Sequence, residues 1–152
     1  MPLITEELVV LDLDDLQSPD RHVTTKILAQ ALAREGRVTD LDGFLADVRK
    51  REEQMPTGLP GGIGIPHARS AYVTEPSLVF GRSREGIDWG AEDGPATLIF
   101  LIAAPEGGGD DHLKILAALA RRLMRTEFRE SLMNAPDAAA VVDVVTREVV
   151  TS

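Results

Sequence analysis

His67 is the residue whose setting most suggests chemistry. It follows Gly61-Gly62-Ile63-Gly64-Ile65-Pro66 directly, and the stretch from 58 to 64 holds four glycines. Glycine lets a backbone turn tightly and lets another molecule come close. Pro66 restricts φ just before the histidine. The expected result is an imidazole on a rigid support at the end of a short strand. A neutral imidazole nitrogen is a competent nucleophile near neutral pH. A turn carrying an incidental histidine is the alternative on these residues alone. A P-loop fits less well, because no Gly-Lys-Ser/Thr follows the glycines.

His112 lies at i−4, i−7 and i−11 from Leu116, Leu119 and Leu123, so it shares the inward face of a helix. That pattern also suits a satisfied core histidine. However, it follows a long apolar strand and the glycine loop Gly107-Gly108-Gly109. In α/β sheets, ligands bind at the carboxyl ends of strands. If the strands before His67 and His112 are parallel, both imidazoles stand on one edge. The helix start would also favour an anion such as a phosphoryl group. Arg51 ends a basic run, Arg49-Lys50-Arg51, just before the glycine loop. It could clamp phosphate in a bidentate manner or simply lie in a solvated cluster at a helix C-terminus. His22 reads as ordinary surface. Asp110-Asp111-His112 does not make a metal site, since capping accounts for the aspartates. No Gly-x-Ser-x-Gly elbow exists. Trp89, the single tryptophan, is expected to pack.

The elements that position these residues alternate between helix and strand. Leu8–Leu11 reads as a short strand or turn, and Ser18-Pro19 as a helix start. Ile27, Leu28, Ala31 and Leu32 form a helical stripe, with Gly36 as its cap. Thr39 or Asp40 caps a second helix, with Leu41, Phe44, Leu45 and Val48, ending near Gln54 before Pro56. Ile63–Ile65 can be only a very short strand. Residues 77–81 and 96–104 are the clear strands, and the second is apolar enough to be covered on both faces. Asp110 or Asp111 caps a helix from His112 to about Arg125. Helices at 128–133 and 136–145 follow. The pattern predicts an α/β three-layer sandwich, with a central mixed, mostly parallel sheet flanked by helices on both faces.

Composition narrows the function further. At 152 residues the chain fits one domain, spanning 1–152, and such a length can bury roughly 70% of its unfolded surface. It has no cysteine, which excludes disulfides, thiolate metal sites and a cysteine nucleophile. The net charge of -9 argues against non-specific nucleic-acid binding and against docking on an anionic membrane. No apolar run approaches a membrane span, and acidic residues precede the first basic one, unlike a signal peptide. The expectation is a cytoplasmic protein.

Arg51-Glu52, Thr57-Gly58-Leu59 and Gly62-Ile63-Gly64-Ile65-Pro66-His67-Ala68 together resemble a known signature. It is that of the fructose/mannitol-type IIA domain of the bacterial phosphoenolpyruvate-dependent sugar phosphotransferase system. Ile87-Asp88-Trp89, Phe100-Leu101-Ile102-Ala103-Ala104-Pro105 and His112-Leu113-Lys114-Ile115-Leu116-Ala117 resemble the family's later blocks. The likeness runs from about Leu8 to Val145. It implies that His67 accepts a phosphoryl group from the carrier HPr and passes it to a cysteine of a IIB component. IIB then phosphorylates sugar, with fructose the expected one, as the IIC permease imports it. His112 and Arg51 would neutralise or orient the phosphoryl oxygens. Thr57 and Gly62 fall on loop positions near the site. No metal or cofactor is implied. Many members carry Gly-Asn-Gly-Ile-Ala where this chain has Pro60-Gly61-Gly62-Ile63-Gly64. A nitrogen-type regulatory IIA protein, signalling through the same histidine, is the alternative. An acidic domain would suit a carrier with a basic docking face.

Overall fold

The computed structural model describes residues 2–15, 20–55, 57–107 and 111–150, excepting the side chains of residues 111, 112 and 150. Asp20 caps the first helix, α1 (Arg21–Arg34). Its carboxylate accepts from the amides of His22 at 2.7 Å and Val23 at 3.3 Å. The expected start at Ser18-Pro19 therefore moves to Asp20, and Ser18 and Pro19 lie outside the described residues. The His22 amide, more than the opposing desolvation, holds the Asp20 carboxyl below its ordinary pKa. Its contribution is thus complete above the unfolded value and is lost as pH falls through the lowered one. Asp20→Ala should cost about 1 kcal/mol at neutral pH. Urea denaturation should show that difference shrinking as pH falls below the ordinary carboxylate range.

The second helix, α2 (Leu41–Gln54), is capped by Asp40, which accepts from the Gly43 amide at 3.1 Å, and it ends where expected. α1 buries Leu28, Ala31 and Leu32, and α2 buries Phe44, Val48 and Glu52.

Six strands form one sheet: β1 (Val9–Val10), β2 (Gly58–Leu59), β3 (Ile63–Gly64), β4 (His67–Ser70), β5 (Ser77–Ile87) and β6 (Ala96–Pro105). The order is β1-β5-β6-β3-β2, with β4 also paired to β6. Three pairings are parallel (β1 with β5, β3 with β6, β4 with β6) and two are antiparallel. β6 is the nearly continuous apolar strand, and its buried run from Leu98 to Ala104 confirms cover on both faces. Phe80 and Phe100 pack across β5 and β6 with ring centroids 5.1 Å apart.

β3 and β4 behave as one interrupted strand. Gly64 pairs with Ile99 and His67 with Ile102, so both partners advance by three residues and the register is unbroken. The interruption falls at Ile65-Pro66. Pro66 has no amide to donate, and the Ile65 amide turns away to bond the Thr57 carbonyl at 3.1 Å. His67 therefore follows the short strand β3, as its sequence suggested. It also opens β4.

Neighbouring residues on β5 locate the helical layers. A Cβ at Gly81 would meet Leu28 of α1 at 3.0 Å. The next residue, Arg82, points to the other face. There its Nη1 donates to the carbonyls of Leu132, Met133 and Ala135, at 3.1, 3.3 and 2.8 Å. These carbonyls end α4 (Thr126–Met133), so α1 and α4 cover opposite faces. Burial, together with the nearby Arg84 charge, lowers the pKa of the Arg82 guanidinium. α3 (Asp111–Leu123) and α5 (Ala138–Val145) complete the helices, before a π-helical turn at Thr146–Val150. Asp137, not Pro136, begins α5 by accepting from the Ala140 amide. α3 stops at Leu123, two residues early, and α4 starts at Thr126, two residues before Phe128. Asp110, a candidate cap for α3, lies outside the described residues. The expected three-layer α/β architecture with a mixed sheet is the one observed.

Candidate active site

His67 is half-buried at the first position of β4. Its Nδ1 lies 2.8 Å from the Ile65 carbonyl oxygen. A carbonyl can only accept, so Nδ1 carries the proton and, in the neutral ring, Nε2 carries the lone pair. The break in the strand thus exposes the one carbonyl that orients the ring.

A cleft of about 380 Å³ surrounds the imidazole. α2 lines it with Asp47, Lys50, Arg51 and Gln54, and β4 adds Arg69. The α2 residues stand at i, i+3, i+4 and i+7, on one helical face. His67 and Arg69 stand at i and i+2, on one face of a strand. These spacings are legible in the sequence, where Arg51 alone stands out by its place at the end of the basic run. The Arg51 Nη1 donates to the Met55 carbonyl at 3.3 Å, which holds the guanidinium at the end of its helix. Ser70, buried in β4, donates to Asp47 at 2.7 Å and ties the strand to α2. Leu113 and Leu116, from the first turns of α3, close the cleft, and Leu113 is 53% exposed. The start of α3 and His67 therefore share one edge of the sheet, as parallel strands require. The His112 side chain is outside the described residues.

Thr57 is placed behind the cleft. Its amide and hydroxyl both donate to the Glu52 carboxylate, each at 2.6 Å. Its hydroxyl accepts from the Trp89 indole N–H at 3.1 Å. The single hydroxyl proton is thereby committed, and Thr57 acts from inside by holding the Ile65 amide with its carbonyl. Gly62 is also apart from the imidazole. With φ at 78°, its carbonyl accepts from the amides of Thr97 and Leu98. That lies four residues before Ile102 on β6, about 13 Å along the strand from His67's partner. Gly64 does give room for a close approach, but Trp89 uses it. A Cβ there would sit 2.6 Å from the indole ring. Trp89 is fully buried, as expected.

Residues 2–148 match the family described as phosphoenolpyruvate-dependent sugar phosphotransferase system, EIIA 2. The chain belongs to that family. It is 42% identical over 138 residues to a fructose-specific EIIA component of Haloferax volcanii, covering 89% of this chain and 90% of that protein. It is 35% identical over 144 residues to the fructose-specific EIIABC component of Bacillus subtilis, covering 94% of this chain but only 22% of that longer protein. Among solved structures, nitrogen regulatory protein IIA-Ntr of Neisseria meningitidis superposes with a TM-score of 0.84 at 30% identity, covering 95% of this chain and 97% of that one. Among the described residues of this EIIA chain, no helix is long and apolar enough to cross a membrane.

Proposed function

We propose that this EIIA chain is a phosphocarrier in which His67 takes a phosphoryl group from phospho-HPr and gives it to a cysteine of a IIB component. The observation that carries this reading is the bond between His67 Nδ1 and the Ile65 carbonyl, which directs the Nε2 lone pair. In the first step Nε2 attacks phosphorus, a P–N bond forms, and the donor's P–N bond breaks. Nδ1 keeps its proton, still donated to the Ile65 carbonyl, while the ring gains positive charge. In the second step a IIB thiolate attacks phosphorus and the P–Nε2 bond breaks, restoring the neutral imidazole. Phosphoryl transfer needs mainly positioning and charge stabilisation. Lys50, Arg51 and Arg69 line the cleft for the phosphoryl oxygens, and His112 would add to them from the start of α3. The half-exposed Leu113 supplies an apolar contact for a protein donor or acceptor. The fructose-specific names of the relatives favour fructose as the final acceptor, with a IIC permease importing it.

The test is incubation with phosphoenolpyruvate, enzyme I and HPr, read by intact mass, followed by addition of IIB. A phosphoryl adduct that IIB discharges is the expected result. No adduct would reject the reading. The likeness to IIA-Ntr supports a second reading, phosphorylation-dependent signalling. There the adduct forms but no IIB cysteine removes it. In either case Arg69→Gln should slow labelling roughly tenfold, because a charged hydrogen-bond donor to phosphate is lost. Quenched-flow labelling measures this.

A further inference from the structure

A second groove, of about 350 Å³, runs between α1 and α2 on the other side of α2 from the His67 cleft. Arg21, Lys26 and Arg49 line it, with His22, Asp42 and Glu52. Among the described residues, none of those three cations has an ion pair or a side-chain hydrogen bond. A net charge of -9 leaves ample carboxylate elsewhere, yet none of the three is salt-bridged where they line this one hollow, and Arg21 feels the Asp20 carboxylate only through its charge. Arg21 also stands in the first turn of α1, where a cation opposes the helix dipole.

The remaining lining narrows the ligand. Asp42, in the first turn of α2, has no donor bonded to it among the described residues and can accept from hydroxyl groups. Leu45 and Val48 give an apolar wall suited to C–H faces. Glu52 has both carboxylate oxygens engaged by Thr57 and adds little acceptor capacity. Cations for a phosphate, a carboxylate for hydroxyls and a short apolar wall fit one small molecule. We propose that the α1–α2 groove binds a phosphorylated polyol, with Arg21, Lys26 and Arg49 on the phosphate and Asp42 on the hydroxyls. The groove is independent of the chemistry at His67. It does share Glu52 with the buried Thr57–Trp89 network, so occupancy has a route to the single indole.

Fructose 1-phosphate is the probe, titrated into the ¹⁵N-labelled protein with fructose and inorganic phosphate as controls. The expected result is saturable binding with Kd at or below roughly 1 mM. Amide shifts should concentrate on α1 and α2, and the one indole N–H signal should move with the same isotherm. The Lys26→Gln/Arg49→Gln variant removes two exposed, unpaired charges and should keep its melting temperature while binding at least about tenfold more weakly. His67→Ala should bind as the unaltered protein does, even if phosphoryl labelling fails altogether. The proposal is overturned by absence of saturation, by shifts confined to the His67 cleft, or by binding that survives the double substitution. Equal binding of inorganic phosphate would also overturn it, as would capture only of acidic polypeptide.

Discussion

His67→Ala should lose every trace of phosphoryl adduct, and Arg51→Gln should keep the adduct while slowing its formation by about two orders of magnitude. The two effects differ in kind. His67 provides the only nucleophile held by the Ile65 carbonyl, and nothing else in β4 offers a replacement imidazole. On the proposed reading Arg51 contributes charge along the path of the phosphoryl group, and Lys50 and Arg69 remain in the cleft without it. Arg51→Lys should recover only part of the rate, because an ammonium lacks the planar fork that meets two phosphoryl oxygens. Single-turnover labelling by phospho-HPr, read by intact mass, separates these cases. A His67→Ala protein that still labelled would place the nucleophile elsewhere.

Trp89→Ala should lower stability by about 3–5 kcal/mol, the largest fall expected from any single substitution here. The indole is fully buried, packs on Gly64 and donates to Thr57. Gly64→Ala should cost about 1–3 kcal/mol by overpacking, because its new methyl meets the ring. The informative measurement is the double variant. With the ring gone, the Gly64 methyl enters the vacated space, so its cost should nearly vanish, a coupling typical of residues in direct contact. Urea denaturation of the four proteins gives that coupling. Additive costs would mean that the indole does not determine the glycine.

The sequence carried the fold's outline because burial and caps leave strong local marks. Asp40 and Pro56 bracket α2, and the apolar run at 96–104 suggests an inner strand. It was less informative where an element is shorter than its own period. β2 and β3 have two residues each, too few to show alternation, and β4 breaks the apolar rule by carrying His67 and Arg69. At the site, His67 and Arg51 stand out because their types are chemically distinctive, and both line one cleft. Thr57 and Gly62 were placed near the phosphoryl group by their position in a motif. Their side chain and backbone instead serve the loop's interior, which no spacing reveals. The charge total is silent on local placement: a chain with net charge -9 still presents Lys50, Arg51 and Arg69 around one histidine, because a sum has no geography.

The unbroken register from Gly64 to His67 makes the count of residues between them a length gauge. Side chains on an extended chain alternate faces, so adding or removing one residue would turn the imidazole through the sheet and away from α2. Ile65 and Pro66 can thus be exchanged for other residues at a graded cost, whereas a single-residue insertion or deletion is all or nothing. In a library that varies this segment, substitutions should survive in proportion to their packing, and every change of length should be absent.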